Sequence, residues 1–371
     1  VRNETDSRFF AAPRVLPARA PARPRLDPRH LPFMVTLGLF GVMFGAGSIA
    51  FDGFFSLQVF LNLFIDNAFL LISAVGMTFV IISGGIDLSV GSVTALTTMV
   101  LAHLVENRGW SPALVIPLVL LMGATIGLIH GVVIQYFSLQ PFIVTLAGMF
   151  LARGLCYLIS VDSIAISHPF FTDVSAIRYP LPFETSVSVN VVMALGVLLG
   201  AVYLAHFTRL GRTLYAIGGS EQSALLMGLP VARTKIFVYT FSGFCSALAG
   251  IAFTFYMLSG YGLHAQGMEM DAIAAVVVGG TLLTGGAGHV LGTLVGVLIY
   301  GTIQTLIMFE GSLSSWWTKI VIGLLLLVFC LLQKVLARAP ARQGSTRAAR
   351  QDSAQPHPVS SPIERTAQAG G

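Results

Sequence analysis

The sequence is short of charge. Asp, Glu, Lys and Arg make up 10% of its 371 residues, against about a quarter in an ordinary soluble domain. So few charges cannot cover a water-facing surface, which excludes a free globular domain. Cysteine is scarce too: Cys156, Cys245 and Cys330 fall singly within apolar runs. Their spacing excludes a disulfide framework or a cysteine metal site and fits small buried hydrophobes. No G-x-x-x-x-G-K-[ST] occurs, so the chain lacks the phosphate-cradling loop needed to hydrolyse ATP by itself. No catalytic or metal-binding constellation is present either. His103, His130, His206, His264 and His289 stand singly among apolar stretches.

What the chain has instead is apolar length. Hydrophobic residues account for 55% of it, and its mean hydropathy is +0.82. Runs of about 20 apolar residues match the ~30 Å hydrocarbon core of a bilayer. The period-2 alternation of a membrane barrel is absent, and a lipid-exposed backbone must then bond to itself as helix. The expected fold is all-α, a polytopic transmembrane helical bundle of about ten spans. These fall at 32–50, 66–82, 88–105, 112–137, 141–160, 187–207, 234–258, 271–283, 289–309 and 315–336. The eighth is short and Gly-rich, so it is expected to be continuous, broken or re-entrant.

Charge divides the chain into three parts: a basic disordered tail at 1–30, a membrane domain at 31–336 and a second disordered tail at 337–371. The arginines at 2, 8, 14, 19, 23, 25 and 29 belong to the first tail. Arg209, Arg212, Arg233 and Lys235 cluster between spans six and seven, and Lys334 and the last arginines follow span ten. Placing both termini in the cytoplasm puts nearly all of these inside. Topology thus accounts for the basic residues, and no nucleic-acid role is needed. The first apolar run ends in Ser48-Ile49-Ala50, a passable signal-peptide cleavage site. An uncleaved first helix is preferred, because the charge pattern needs that span.

Small residues recur at four-residue spacing: Gly123, Gly127 and Gly131, then Gly196 and Gly200, then Gly292 and Gly296. Such stripes let helices approach closely in lipid, within one chain or at a dimer seam. A weak internal repeat is also present. Ser83-Gly84-Gly85 and Val90-Gly91-Ser92 recur 201 positions later as Thr284-Gly285-Gly286 and Leu291-Gly292-Thr293. The repeat would be parallel, a common basis for transporters with the solute path at the repeat interface.

The most specific stretch includes Ser83-Gly84-Gly85-Ile86-Asp87-Leu88-Ser89-Val90-Gly91-Ser92. Gly84 and Gly85 end span two with a turn that needs positive φ or close backbone approach. Asp87 or Ser89 then accepts from free N–H groups at the start of span three, or Asp87 meets solute. Further on come Pro141-Phe142-Ile143-Val144-Thr145-Leu146-Ala147-Gly148-Met149, Arg153-Gly154, Tyr215-Ala216-Ile217-Gly218-Gly219 and Ser246-Ala247-Leu248-Ala249-Gly250. Last is Asp271-Ala272-Ile273-Ala274-Ala275-Val276-Val277-Val278-Gly279-Gly280.

In this order the motifs resemble those of ABC importer permeases of the ribose/xylose/galactose class. Asp66-Asn67-Ala68-Phe69 and Ser314-Ser315-Trp316-Trp317-Thr318-Lys319 most resemble galactofuranose importer permeases. The resemblance implies a multi-pass protein of the bacterial inner membrane that translocates a monosaccharide. It implies a second permease chain, identical or paralogous, ABC ATPase subunits inside and a periplasmic sugar-binding protein outside. ATP would be used by the partner subunit, with no cofactor bound by this chain. It also makes the inner loop at 210–235 the segment that docks on the ATPase. There Ser220 or Glu221 is expected to begin a short helix. Ala224, Leu225 and Met227 give it an apolar face, and Gly228 ends it.

Ionisable residues inside a membrane are costly and therefore each marks a candidate site. Arg153 lies deep in span five, with Asp66, Glu269 and Asp271 as its expected counter-ions. Asn62, Asn67, Gln266 and Gln304 are better chemical matches to sugar hydroxyls, and Asn67 and Gln304 are the candidates for the solute path. The competing reading, an ion-coupled secondary transporter, predicts paired acids at the membrane midplane, which the sequence does not show.

Overall fold

The computed structural model describes residues 31–182, 185–314 and 316–338. The expected tails, save the first two residues of the second, lie outside the described residues. The elements begin with α1 (Leu31–Ala50), α2 (Leu57–Ile82) and α3 (Val90–Ala102), which runs on into a π turn (His103–Asn107). Then come α4 (Pro112–Tyr136), α5 (Pro141–Ile159), β1 (Ile164–Ala165), α6 (Pro169–Ala176), β2 (Arg178–Leu181) and β3 (Thr185–Ser188). They continue with α7 (Val189–Phe207), α8 (Arg209–Gly219), α9 (Glu221–Leu226), α10 (Val231–Met257) and β4 (Ser259–Gly260). The chain closes with α11 (Met268–Val278), α12 (Val290–Glu310) and α13 (Trp316–Arg338).

Seven helices, α1, α2, α4, α5, α7, α10 and α12, are long and apolar enough to cross a membrane. Of the other three expected spans, α3 and α11 are shorter helices of 13 and 11 residues, and α13 has 23 residues with its apolar stretch at Trp316–Leu331. α11 covers about 16 Å at helical rise, roughly half the hydrocarbon core. It stops at Val278, not at 283, because the glycine pair Gly279-Gly280 follows and Gly280 adopts φ +93°. α2 begins nine residues before its expected start, since Ser56 caps it by accepting from Val59 N at 3.1 Å. Asp66 therefore lies well inside α2 and does not open it.

α2 and α10 form the centre. From Asn67 onward almost every residue of α2 is buried, which is why that helix is apolar on all sides. The glycine stripes explain how closely its neighbours approach. Gly123, Gly127 and Gly131 of α4 lie against the backbone of α10 at Gly243, Tyr239 and Ile236, while Gly292 and Gly296 of α12 lie against Gly279 and Ala275. Those two stripes serve packing within the chain. Gly196 and Gly200 of α7 face no neighbour among the described residues. All three cysteines are free thiols, with Cys156 and Cys245 fully buried.

One end of the bundle carries two small antiparallel ribbons, β1 with β4 and β2 with β3. Glu106 ties this end together, accepting from Ser167 N at 2.7 Å, Ser167 Oγ at 3.0 Å and His168 N at 2.8 Å. α8 and α9 occupy the other end. α10 joins the two, and its 27 residues span about 40 Å.

Candidate functional site

The turn after α2 is built from local signals. Gly84 adopts φ +85°. Its N–H donates to Ile81 O at 2.9 Å and that of Gly85 to Val80 O at 3.0 Å, the paired bonds of a glycine helix stop. Asp87, only 1% exposed, is then spent on protein groups. Its Oδ1 accepts from Ser89 N at 3.0 Å and from the Ser89 hydroxyl at 2.6 Å. Its Oδ2 accepts from the Ser242 hydroxyl of α10 at 2.7 Å. Ser89 itself makes no side-chain cap to α3. Thr145 of α5 accepts from Leu88 N at 3.1 Å, and the Tyr239 hydroxyl lies against Gly85. Gly91, the next glycine of the stretch, lets α3 approach Ala265 O and Glu269.

Three glycine turns meet at this point. The free carbonyl of Ile82, last residue of α2, accepts from Gly286 N at 2.9 Å. Gly285 lies against the Cα of Gly84, and Gly286 against Gly219. Gly218, at the end of α8, lies so close to Ile82 O and Gly286 N that any side chain there would meet both. The Tyr215 hydroxyl fastens α8 to the same place, donating to Gly288 O at 2.8 Å. Burial pushes the Tyr215 phenol up to about 12, which keeps it a neutral donor. Sequence reasoning singled out these glycines one motif at a time. It had no signal that 84, 218 and 285 touch.

α8 leads directly into α9. Ser220 accepts from Ser223 N at 3.2 Å and so caps α9, and Glu221 pairs with Lys235 of α10 at 2.6 Å. Gly228, with φ +72°, ends α9 as Gly84 ends α2: Gly228 N donates to Leu225 O at 2.9 Å and Leu229 N to Ala224 O at 3.1 Å. One expectation needs correction. Ala224 is 0% exposed and packs on Ile217 and Val231, so it does not belong to the exposed apolar face. That face consists of Leu225, Leu226 and Met227, which are 55%, 85% and 65% exposed. Leu226 is missing from the expected face because Ala224 and Leu226 are both apolar and only packing tells inward from outward. The exposed residues Arg209, Arg212 and Arg233 surround this end.

Of the three expected counter-ions, Asp66 and Asp271 are engaged elsewhere, while Glu269 stays within electrostatic reach of Arg153. Arg153 Nη1 donates to two backbone carbonyls, Gly262 O at 2.6 Å and His264 O at 2.7 Å. It thereby pins the loop that joins β4 to α11. Asp271 pairs with Lys319 of α13, Nζ lying 2.5 Å from Oδ2, and also accepts from the Tyr300 hydroxyl at 3.0 Å. Asp66 accepts from the Tyr256 hydroxyl at 3.2 Å. We expect Arg153→Ala to lower folded yield and melting temperature by loosening that loop. Each hydrogen bond from a charged donor contributes about 1.5–3 kcal/mol. A second change at Asp66 or Asp271 should give no rescue; restored yield in either double variant, measured by fluorescence size exclusion, would reinstate the acid pairing.

The two solute-path candidates lie on neighbouring helices, α2 and α12. Asn67 is buried, donates to Leu63 O at 3.0 Å and packs on Gly301. Gln304, one turn beyond Gly301, donates to the Tyr300 hydroxyl at 3.3 Å and so joins the Tyr300–Asp271–Lys319 cluster.

A bundle of apolar helices, closed at one end by a glycine junction and carrying an exposed apolar knuckle beside it, defines a polytopic membrane protein. Residues 59–330 match the family described as branched-chain amino acid transport system / permease component, and the chain belongs to that family. It is a multi-pass inner-membrane protein and a transport component. It is 50% identical over 308 residues to the inner membrane ABC transporter permease protein YjfF of Escherichia coli (strain K12), covering 83% of this chain and 93% of that one. The fructose import permease protein FruG of Bifidobacterium longum (strain NCC 2705) is 42% identical over 320 residues, covering 84% and 93%. The ribose import permease protein RbsC of Escherichia coli (strain K12) is 37% identical over 280 residues, covering 74% and 85%. No solved structure matches the chain.

Proposed function

We propose that this chain is the membrane-spanning subunit of an ATP-binding cassette importer that carries a monosaccharide across the bacterial inner membrane. The observation that carries this reading is near full-length similarity to permeases named for ABC transport and for fructose and ribose import. Two copies, or this chain and a paralogue, form the pore. A periplasmic binding protein delivers sugar, and separate ATPase subunits use the ATP. The exposed apolar knuckle of α9, Leu225, Leu226 and Met227, supports docking of the ATPase there. It enters a groove as a short helix does, and the surrounding arginines suit a cytoplasmic face. An ion-driven transporter is the poorer reading, because the relatives carry the ABC name.

The glycine junction supports a mechanism. α9 continues from α8, and the end of α8 touches the turns after both α2 and α11. A movement imposed on α9 by ATPase closure reaches both turns through backbone contacts, with no flexible side chain between. The α2–α3 and α11–α12 pairs then shift together and change access to the pore. The reading includes ten crossings with both termini inside. Reporter fusions are expected to place Ser220 in the cytoplasm and Asp173 in the periplasm; finding both on one side would refute that topology.

The test of the function is uptake. The importer, reconstituted with its ATPase and binding protein in proteoliposomes, is expected to accumulate at least one monosaccharide in an ATP-dependent way. Galactofuranose comes first in the panel, followed by ribose, fructose and allose. ATP-independent accumulation abolished by collapsing an ion gradient would overturn the reading.

A further inference from the structure

A cavity of about 200 Å3 lies at the ribbon end of the bundle, between the end of α6, the β2–β3 hairpin, the first turn of α7 and the end of α10. We infer that it is a binding site for a single small, uncharged, polyhydroxylated molecule of the monosaccharide class. The choice of ligand rests on the import reading; the existence of the site rests on the residues themselves.

Two buried polar groups of its wall residues have no partner among the described residues. Ser188 stands at the N-cap of α7, where serine ordinarily accepts from a backbone N–H of the first turn. Here its hydroxyl makes no capping bond, and it has no partner among the described residues. Asn190 donates from Nδ2 to Ala252 O at 3.0 Å, which leaves its Oδ1 unpartnered. The two residues are 7% and 5% exposed. A buried polar group without a partner costs about 1–3 kcal/mol, so two in one small cavity mark a place shaped for polar atoms from outside the chain.

The remaining wall narrows the chemistry. Arg178 is the strand partner of Ser188. Its Nη1 is engaged by Ser175 O at 2.7 Å and Ile177 O at 3.2 Å, which leaves Nη2 as a donor for a ligand. The Tyr256 hydroxyl donates a hydrogen bond to Asp66, and its oxygen can still accept one. Phe255 and the Tyr256 ring add apolar surface. Donors and acceptors thus lie beside aromatic faces, and the Asp66 carboxylate lies behind the wall, bonded to Tyr256. A sugar ring, with hydroxyls at its edge and C–H groups on its faces, presents the complementary surface. The cavity is smaller than the roughly 300–1,000 Å3 pockets of drug-sized ligands and has the volume of about seven waters, which suits one ring.

The position has a consequence for import. The cavity adjoins the end of α10 opposite α9, so a sugar held there would wait on the entry side of the reading above.

The test begins with the reconstituted importer, which identifies the transported sugar among D-ribose, D-fructose, D-allose and galactofuranose. If none is accumulated, it is the import reading that falls. The transported sugar is then titrated into the full-length permease in nanodiscs, without ATPase or binding protein, and followed by saturation-transfer NMR. We expect saturable millimolar binding. Ser188→Ala should weaken it at least threefold and the pair Ser188→Val with Asn190→Leu at least tenfold, both with unchanged elution on size exclusion. Should the double variant misfold, Ser188→Ala alone decides. Transport without such binding, or binding indifferent to Ser188→Ala, overturns the cavity site and leaves the import reading standing. Parallel titration with sn-glycerol 3-phosphate separates the sources. If that probe binds at Ser188 and the sugar does not displace it, the cavity holds a lipid headgroup and the inference fails.

Discussion

Leu226→Glu is expected to leave the permease folded and inserted while abolishing ATPase co-purification and sugar uptake. Leu226 is 85% exposed, and an exposed substitution away from packing usually changes stability by no more than about 0.5 kcal/mol. In a complex the same side chain would enter an apolar groove, where an unpartnered carboxylate costs several kcal/mol. Every 1.4 kcal/mol is a factor of about ten in affinity, so binding should fall at least a hundredfold. Ala224→Glu, two residues away, should behave in the opposite way. Its site is closed by Ile217 and Val231, so the carboxylate would be driven into the α8–α9–α10 contact and folded yield should collapse. Pull-down of the ATPase and size exclusion of both variants separate the two effects. Intact ATPase capture and uptake in Leu226→Glu would move the docking surface off α9.

Gly218→Ala should be as damaging as Gly219→Ala is harmless. A methyl group at 218 meets the Ile82 carbonyl and the Gly286 amide, both backbone atoms of other elements, whereas one at 219 meets nothing within 4 Å. Rotamer changes cannot relieve a clash with backbone, so Gly218→Ala should reach or exceed the upper end of the roughly 1–3 kcal/mol overpacking range. It should also break the Gly286 N to Ile82 O bond. At 219 the same change only restricts the unfolded chain, and stability should hold or rise by up to about 1 kcal/mol. Thermal melting of both variants in one detergent decides the matter. If Gly218→Ala melts like wild type but uptake is lost, the junction acts in coupling more than in folding. If both properties survive, the three turns do not work as one unit.

Much of the candidate site rests on signals that act within a few residues. Ser56 and Ser220 cap helices because a serine hydroxyl reaches an amide three positions on. Gly84 and Gly228 end helices because each must adopt positive φ. The same local physics limited what could be seen. Asp66 marks the expected start of a span, yet the helix begins nine residues earlier at the Ser56 cap. Charge alone pairs Arg153 with acids, yet its hydrogen bonds go to two carbonyls, which carry no mark in the sequence, and of the expected acids Glu269 stays within its electrostatic reach.

By itself the sequence determined that the chain is a bundle of membrane helices, because the free energy of moving apolar side chains out of water depends on composition. It determined the Ser220 cap, the Gly84 and Gly228 stops and the helical nature of the apolar stretches, because backbone hydrogen bonds in a helix join residues four apart. Only the tertiary structure decided which groups meet. Arg153 reaches carbonyls 109 and 111 positions away, and Ser242 reaches Asp87 across 155. It decided that Ala224 faces inward while Leu226 faces out, and that three separate glycine turns form one junction. Partners at such separations are selected by how helices pack against each other, and in a chain this uniformly apolar no difference in hydrophobicity records that choice.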